Sequence, residues 1–199
     1  MKDDNALFNA CCNNMSEVAL KLIETGSSIS ELIDNDNNTA LIYTCKNRMS
    51  EVALKLIETG NSIPNHINNN EDTALIIACK NNMSEVALKL IETRNSIPDH
   101  VNKDNNTALI IACKNNMLEV ALKLMETGNS IPDHINFNKE SALFLAYKNI
   151  LLYEQLVLKL IEIENLRYEQ IEKNNTLMLY YFSQFIYILN KLITILIQF

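Results

Sequence analysis

Apolar positions along this chain follow two alternating helical rhythms, separated by polar stretches. Residues 73–106 show one full cycle. "TALIIACKN" places Leu75, Ala78 and Cys79 on one side of a short helix, and Thr73 is a favourable N-cap type. "NNM" turns the chain, and "SEVALKLIET" then predicts a second helix whose buried stripe is Val86, Leu90 and Ile91. On its outer side Glu85 precedes Lys89 by one helical turn, the spacing of a modest surface pair. The polar stretch that follows, "NSIPDHVNKDNN", is extended around Pro98 and too long for a tight helix–helix turn. Each cycle therefore reads as helix, turn, helix and long extended loop.

The cycle repeats with a fixed period. "TALIIACKNNM" occurs letter for letter at residues 73–83 and 107–117, and Thr39, Thr73, Thr107 and Ser141 stand 34 residues apart. One period earlier lies Asn5-Ala6-Leu7, and a degenerate sixth copy opens at Thr176-Leu177. A period of this size predicts an all-α repeat solenoid, in which stacked helix-turn-helix units bury one another's apolar faces. The expected array covers residues 1–175, with units starting near 5, 39, 73, 107 and 141, and residues 176–199 form a degenerate hydrophobic C-terminal repeat or cap. Gly26, Gly60 and Gly128 follow the second helix as left-handed caps, while Arg94 replaces glycine in the third copy at a cost of about 1 kcal/mol if the backbone stays left-handed.

Tetratricopeptide repeats share the period, but their Trp, Leu-Gly and Tyr positions are absent and their connections are shorter. The residues instead resemble the ankyrin repeat, matched by Thr107-Ala108-Leu109, Ala112-Cys113, Val120, Leu124-Met125 and Gly128, and recurring five times over roughly residues 5–175. The resemblance implies β-hairpin-type loops that, with the first helices, line a concave binding face. The wording of the copies, "EVALKLIETGNSIPNHIN" among them, is similar to ankyrin proteins of giant DNA viruses of amoebae, with an endosymbiotic bacterium or a protist as second source. Several positions depart from the family. The first-helix Pro is Ala, the His is Ile42, Ile76, Ile110 or Phe144, and the loop Gly is Asn37, Glu71, Asn105 or Lys139. Asn tolerates the left-handed conformation better than Glu or Lys. The Leu20, Leu54, Leu88 and Leu122 ladder fills a position that is usually polar in the family.

Composition narrows the function classes. Net charge is −7 and nothing basic is clustered, which argues against a nucleic-acid surface and against an anionic membrane surface. The start of the chain is acidic without a long apolar run, unlike a secretory signal, and five cysteines without framework spacing suit a reducing, cytoplasmic compartment. The Asn- and Ile-rich bias reads as the mark of an AT-rich genome.

Candidate chemistry is sparse. His66, His100 and His134 share one repeat position, but one histidine per layer, with layers about 10 Å apart, cannot gather around a zinc ion whose ligands lie within about 2.1 Å. Cys11, Cys45, Cys79 and Cys113 form a similar ladder, too widely spaced to bridge and best read as small buried side chains. Cys12 falls outside it, where other copies carry lysine, and is the expected exposed thiol. The pairs Glu51/Lys55, Glu85/Lys89 and Glu119/Lys123 are alike, whereas catalysis needs one unequal constellation. No enzyme, metal or cofactor is expected.

The copies differ mainly in the loop before each first helix: residues 69–72, 103–106 and 137–140. The resemblance then makes Tyr43, Arg48, Lys103, Phe137 and Lys139 the individualised contact candidates for a protein partner, with drift after duplication as the competing explanation. If the origin is viral, that partner is a host protein and the setting the host cytoplasm. Beyond Ile150 the repeat degrades into "LMLYYFSQFIYILNKLITILIQF". This stretch reads first as a capping repeat. It is also long enough for a membrane anchor, despite Gln184, Asn190 and Lys191, and apolar enough for a docking surface. The main expectation is a non-enzymatic interaction scaffold; the alternative is a membrane-associated adaptor anchored by this segment.

Overall fold

The computed structural model describes residues 4–26, 32–60, 62–93 and 95–148. Among them lie nine helices: α1 (Asp4–Cys12), α2 (Ser16–Glu24), α3 (Ala40–Lys46), α4 (Ser50–Glu58), α5 (Ala74–Lys80), α6 (Ser84–Glu92), α7 (Ala108–Lys114), α8 (Leu118–Glu126) and α9 (Ala142–Lys148). Odd-numbered helices are the first helices of each unit and even-numbered ones the second. Within a unit the two pack together, and between units first packs on first (α1, α3, α5, α7) and second on second (α2, α4, α6, α8). The result is the expected all-α solenoid. The expected end of the array at 175, the sixth copy and the apolar segment 176–199 lie outside the described residues.

Local chemistry fixes the helix starts. The Oγ1 atoms of Thr39, Thr73 and Thr107 each accept from the backbone N–H three residues on, at 3.2 Å, and Ser141 Oγ accepts from Phe144 N at 3.1 Å. Asn14, Arg48, Asn82 and Asn116 take left-handed backbone between the paired helices, with φ of 57°, 57°, 57° and 59°. Each allows the following methionine N–H to reach back to a first-helix carbonyl: Met49 N to Thr44 O, Met83 N to Ala78 O and Met117 N to Ala112 O, all at 2.9 Å.

The core lies between layers. Val52, Leu56, Val86, Leu90, Val120 and Leu124 are buried by the second helices, and Leu41, Ile42, Leu75, Ile76, Leu109 and Ile110 by the first. The leucine ladder at positions 20, 54, 88 and 122 is half-buried. Outside, Lys55 and Lys123 pair forward with Glu58 (3.8 Å) and Glu126 (3.6 Å) and not with the preceding glutamates.

Glycine caps behave as expected: Gly26, Gly60 and Gly128 have φ of 75°, 70° and 70°. In the third copy, where no glycine is present, the exit changes one residue earlier. Thr93 has ψ of 133°, against 2° and −11° for Thr25 and Thr59. Arg94 itself lies outside the described residues.

Candidate functional site

Each loop before a first helix turns on one Asn or Asp. Asn68 Oδ1 accepts from Asn70 N (2.9 Å) and Asp72 N (3.0 Å), and Asn102 Oδ1 from Asp104 N (3.1 Å) and Asn106 N (2.9 Å). Asn136 Oδ1 accepts from Glu140 N at 2.9 Å. Main-chain bonds from Asn68 N to Asp72 O, Asn102 N to Asn106 O and Asn136 N to Glu140 O close the turns at 3.1, 3.1 and 3.0 Å. The loops are thus short closed turns; their only strand-like pairing among the described residues is one bridge between Ile135 and Ser141.

The other end of each amide reaches back one layer. Asn68 Nδ2 donates to Asn38 Oδ1 (2.9 Å), Asn102 Nδ2 to Asp72 Oδ1 (2.7 Å) and Asn136 Nδ2 to Asn106 Oδ1 (2.8 Å). The first copy carries Asp34 at this position. Its Oδ1 closes the turn through Asp36 N and Asn38 N, while Oδ2 accepts from the Tyr43 hydroxyl.

Two further ladders run alongside. The Nε2 atoms of His66, His100 and His134 lie 2.9, 2.8 and 3.0 Å from the carbonyls of Asn37, Glu71 and Asn105 in the preceding loop. A carbonyl can only accept, so Nε2 carries the proton in this geometry. Those three carbonyl residues are the left-handed ones, with φ of 60°, 57° and 58°. At the opposite end of the first helices, the Nδ2 atoms of Asn47, Asn81 and Asn115 donate to the carbonyls of Cys11, Cys45 and Cys79, each at 2.8 Å. The histidines are therefore rungs between loops. Among the described residues no group of His, Cys, Asp and Glu converges in a way that could hold a metal.

These rungs fix the loop bases and leave the tips for display. Lys103, Phe137 and Lys139 occupy two consecutive tips and are exposed, Phe137 at 74%. Lys139 has φ of 61°, the value that asparagine takes at 37 and 105. Asn37 Nδ2 and Asn105 Nδ2 use that conformation to bond the carbonyls of Ile67 (2.7 Å) and Ile135 (2.8 Å) in the next loop.

Tyr43 stands apart from that group, on α3. Its ring meets Phe8 edge-on at 5.8 Å and Lys46 Nζ lies 5.3 Å from its centroid. The hydrogen bond to Asp34, then burial, push the Tyr43 phenol up to about 12. Burial pushes the Asp34 carboxyl up, but hydrogen bonds from Tyr43 and Asn38 outweigh it and hold the group below the ordinary carboxylate value. The Tyr43 hydroxyl is thus engaged by Asp34 of the preceding copy. Arg48 lies in the turn after α3, at the far end of that helix from the loop, where other copies carry asparagine.

The four ladder cysteines are buried and form no disulfide, and Cys12 is half-exposed. Burial pushes Cys11, Cys45 and Cys113 up to about 12 and raises Cys79 as well. Burial, then the Asp34 charge, also raise Cys12. None is activated as a nucleophile.

Sequence reasoning missed two further exposed apolar residues, Ile135 and Phe144. Phe144 occupies the position of Ile42, Ile76 and Ile110, all buried, so periodicity assigns it to the core. It also missed the amide ladders, although the recurrence of Asn at 68, 102 and 136 was visible.

A family model described as ankyrin repeats in three copies matches residues 7–100 and, again, 60–134. No curated protein matches the chain. The matched stretches run from within α1 to beyond α8 and take in the helix pairs and their turns, and the chain belongs to the ankyrin-repeat family.

Proposed function

We propose that this protein is a non-enzymatic scaffold that binds another protein through its loop tips and first helices. Ankyrin repeats generally mediate protein–protein interaction, and the observation that carries the reading to particular residues is the contrast within each unit. Loop bases are tied layer to layer by buried amides, while the tips vary and expose Phe137, Lys103 and Lys139. An aromatic and basic groups on an ordered backbone are residue types that anchor interfaces. Tyr43 and Arg48 extend the candidate surface toward the second copy. Against catalysis, the polar groups recur in equal rungs, whereas acid–base chemistry requires unequal neighbours.

The resemblance of the copies to ankyrin proteins of giant DNA viruses supports a finer version: a viral protein in the host cytoplasm, acting on a host protein. The alternative, a membrane-associated adaptor, depends on residues 177–199, outside the described residues. Among the described residues no helix is long and apolar enough to cross a membrane.

The test is affinity capture from amoebal lysate with the full chain, comparing wild type with a Phe137→Ala/Lys103→Ala variant of equal thermal stability. A protein retained by the wild type and lost by the variant supports the loop-face reading. Equal retention by both moves binding off the loops. Recovery of the chain in the membrane fraction, reversed by detergent, would favour the adaptor instead.

A further inference from the structure

Six large apolar side chains are exposed among the described residues: Met15, Val18, Ile33, Ile135, Phe137 and Phe144. Three of them fall between 135 and 144, at one loop and the first helix after it. Phe137 is the most exposed, and Phe144 and Ile135 are 47% and 38% exposed. This grouping is not imposed by the repeat. The positions equivalent to Phe137 hold Asn35, Asn69 and Lys103, and those equivalent to Phe144 hold isoleucines buried in three copies. Large apolar side chains left exposed so near one another in sequence are relieved of water when a partner covers them.

The charges around it are asymmetric. Two nearby carboxylates already face lysines. Asp104 lies 4.0 Å from Lys80, and Glu140 lies 3.5 Å from Lys114 and accepts from Asn136 Nδ2 at 3.1 Å. Lys103 and Lys139, on the two tips beside Phe137, have no carboxylate within 4.0 Å among the described residues. In a chain of net charge −7, the tips next to the apolar cluster thus carry unanswered positive charge. Such a surface favours an anionic ligand and rejects a basic one.

Spacing narrows the ligand further. Stacked layers lie about 10 Å apart and an extended peptide advances about 3.3 Å per residue, so about three residues bridge one layer. We propose that the tips at 102–106 and 136–140, together with the start of α9, dock an extended acidic peptide. Its aromatic or branched aliphatic side chain packs beside Phe137 and Phe144, between carboxylates about three residues apart that meet Lys103 and Lys139. This presupposes that the loop face is the binding face.

The test is selection of short random displayed peptides on the full chain, followed by fluorescence anisotropy of the enriched peptides at low and high salt. The expected peptides carry an apolar anchor flanked by Asp or Glu, and bind more weakly as salt rises. Phe137→Ala and the Lys103→Glu/Lys139→Glu pair should each weaken them about tenfold or more, equivalent to about 1.4 kcal/mol. These three side chains are exposed, so the variants should keep the wild-type circular dichroism and urea midpoint. Enriched peptides that are neutral or basic, yet sensitive to Phe137→Ala, would overturn the ligand chemistry and leave the loop face standing. Peptides indifferent to all three changes would overturn both. Failure to enrich any peptide would overturn the acidic-peptide site.

Discussion

Replacing Asn102 with alanine should expose how much the amide ladder contributes. Asn102 is 4% exposed and makes three hydrogen bonds through its side chain. One is charge-assisted, Nδ2 to Asp72 Oδ1 at 2.7 Å; the other two close its own turn through Asp104 N and Asn106 N. A neutral hydrogen bond contributes about 0.5–1.5 kcal/mol and one to a charged group about 1.5–3, which brackets the loss at about 2.5–6 kcal/mol. Asp104 is exposed and Asn106 half-buried, so water replaces part of what they lose, and the net expectation falls to about 2–4 kcal/mol. Asn69 is the control. It is exposed and makes a single side-chain bond, Nδ2 to Asn35 O at 3.0 Å, so Asn69→Ala should cost less than about 1 kcal/mol. Urea unfolding of the full chain, followed by far-ultraviolet circular dichroism, measures both. With a urea slope of about 1–3 kcal/mol per molar, Asn102→Ala should lower the midpoint by about 0.7 M or more at unchanged slope. Asn102→Asp should be worse than alanine at neutral pH, because it places a carboxylate against Asp72. If Asn102→Ala matched Asn69→Ala, or Asn102→Asp proved milder than alanine, the ladder would be replaceable by water and the account of loop order would fail.

Glu71→Asn should stabilise by about 1 kcal/mol, read as a higher urea midpoint, because asparagine tolerates the φ of 57° and can donate to the next loop as Asn37 and Asn105 do. A thiol-specific reagent at mildly alkaline pH should label Cys12 alone in the native protein; rapid labelling of Cys45, Cys79 or Cys113 without denaturant would contradict their burial. The Tyr43 phenol titrates higher when folded than when unfolded, so its share of stability is complete below about pH 10 and disappears as pH rises toward 12. Tyr43→Phe should therefore flatten stability over that interval, and an unchanged alkaline profile would show that the Asp34 contact does not form in solution. Leu90→Ala, at a fully buried position between layers, should cost about 2–5 kcal/mol by the same urea assay.

Much of the fold was legible because its signals are local and repeated. Thr at 39, 73 and 107 marked each first-helix start through an N-cap bond that spans three residues, and the glycine after α2, α4 and α8 marked each exit. The stripe of Val, Leu and Ile told which side of a second helix is buried. The proposed interface was less legible. Lys103, Phe137 and Lys139 stood out because they break the repeat, but Phe144 was hidden by periodicity and the Tyr43 hydroxyl was already engaged by Asp34. Asparagine abundance looked compositional. It acquires meaning only when residue 102 is seen to face residue 72, because that bond depends on the stacking of one layer on the next.

The helix α2, α4 and α6 have the same nine residues, SEVALKLIE, and the sequence alone determined that all three form amphipathic helices with Val, Leu and Ile on one side. It did not determine their fate. Val52 and Val86 are completely buried and Val18 is 41% exposed; Met83 is 6% exposed and Met15, its counterpart, 48%. Helix formation is decided by bonds between residues a turn apart, which identical sequence guarantees. Burial of the same side chains, and the partners of the loop amides, are decided by which layer lies alongside, and only the stacked tertiary structure supplies that.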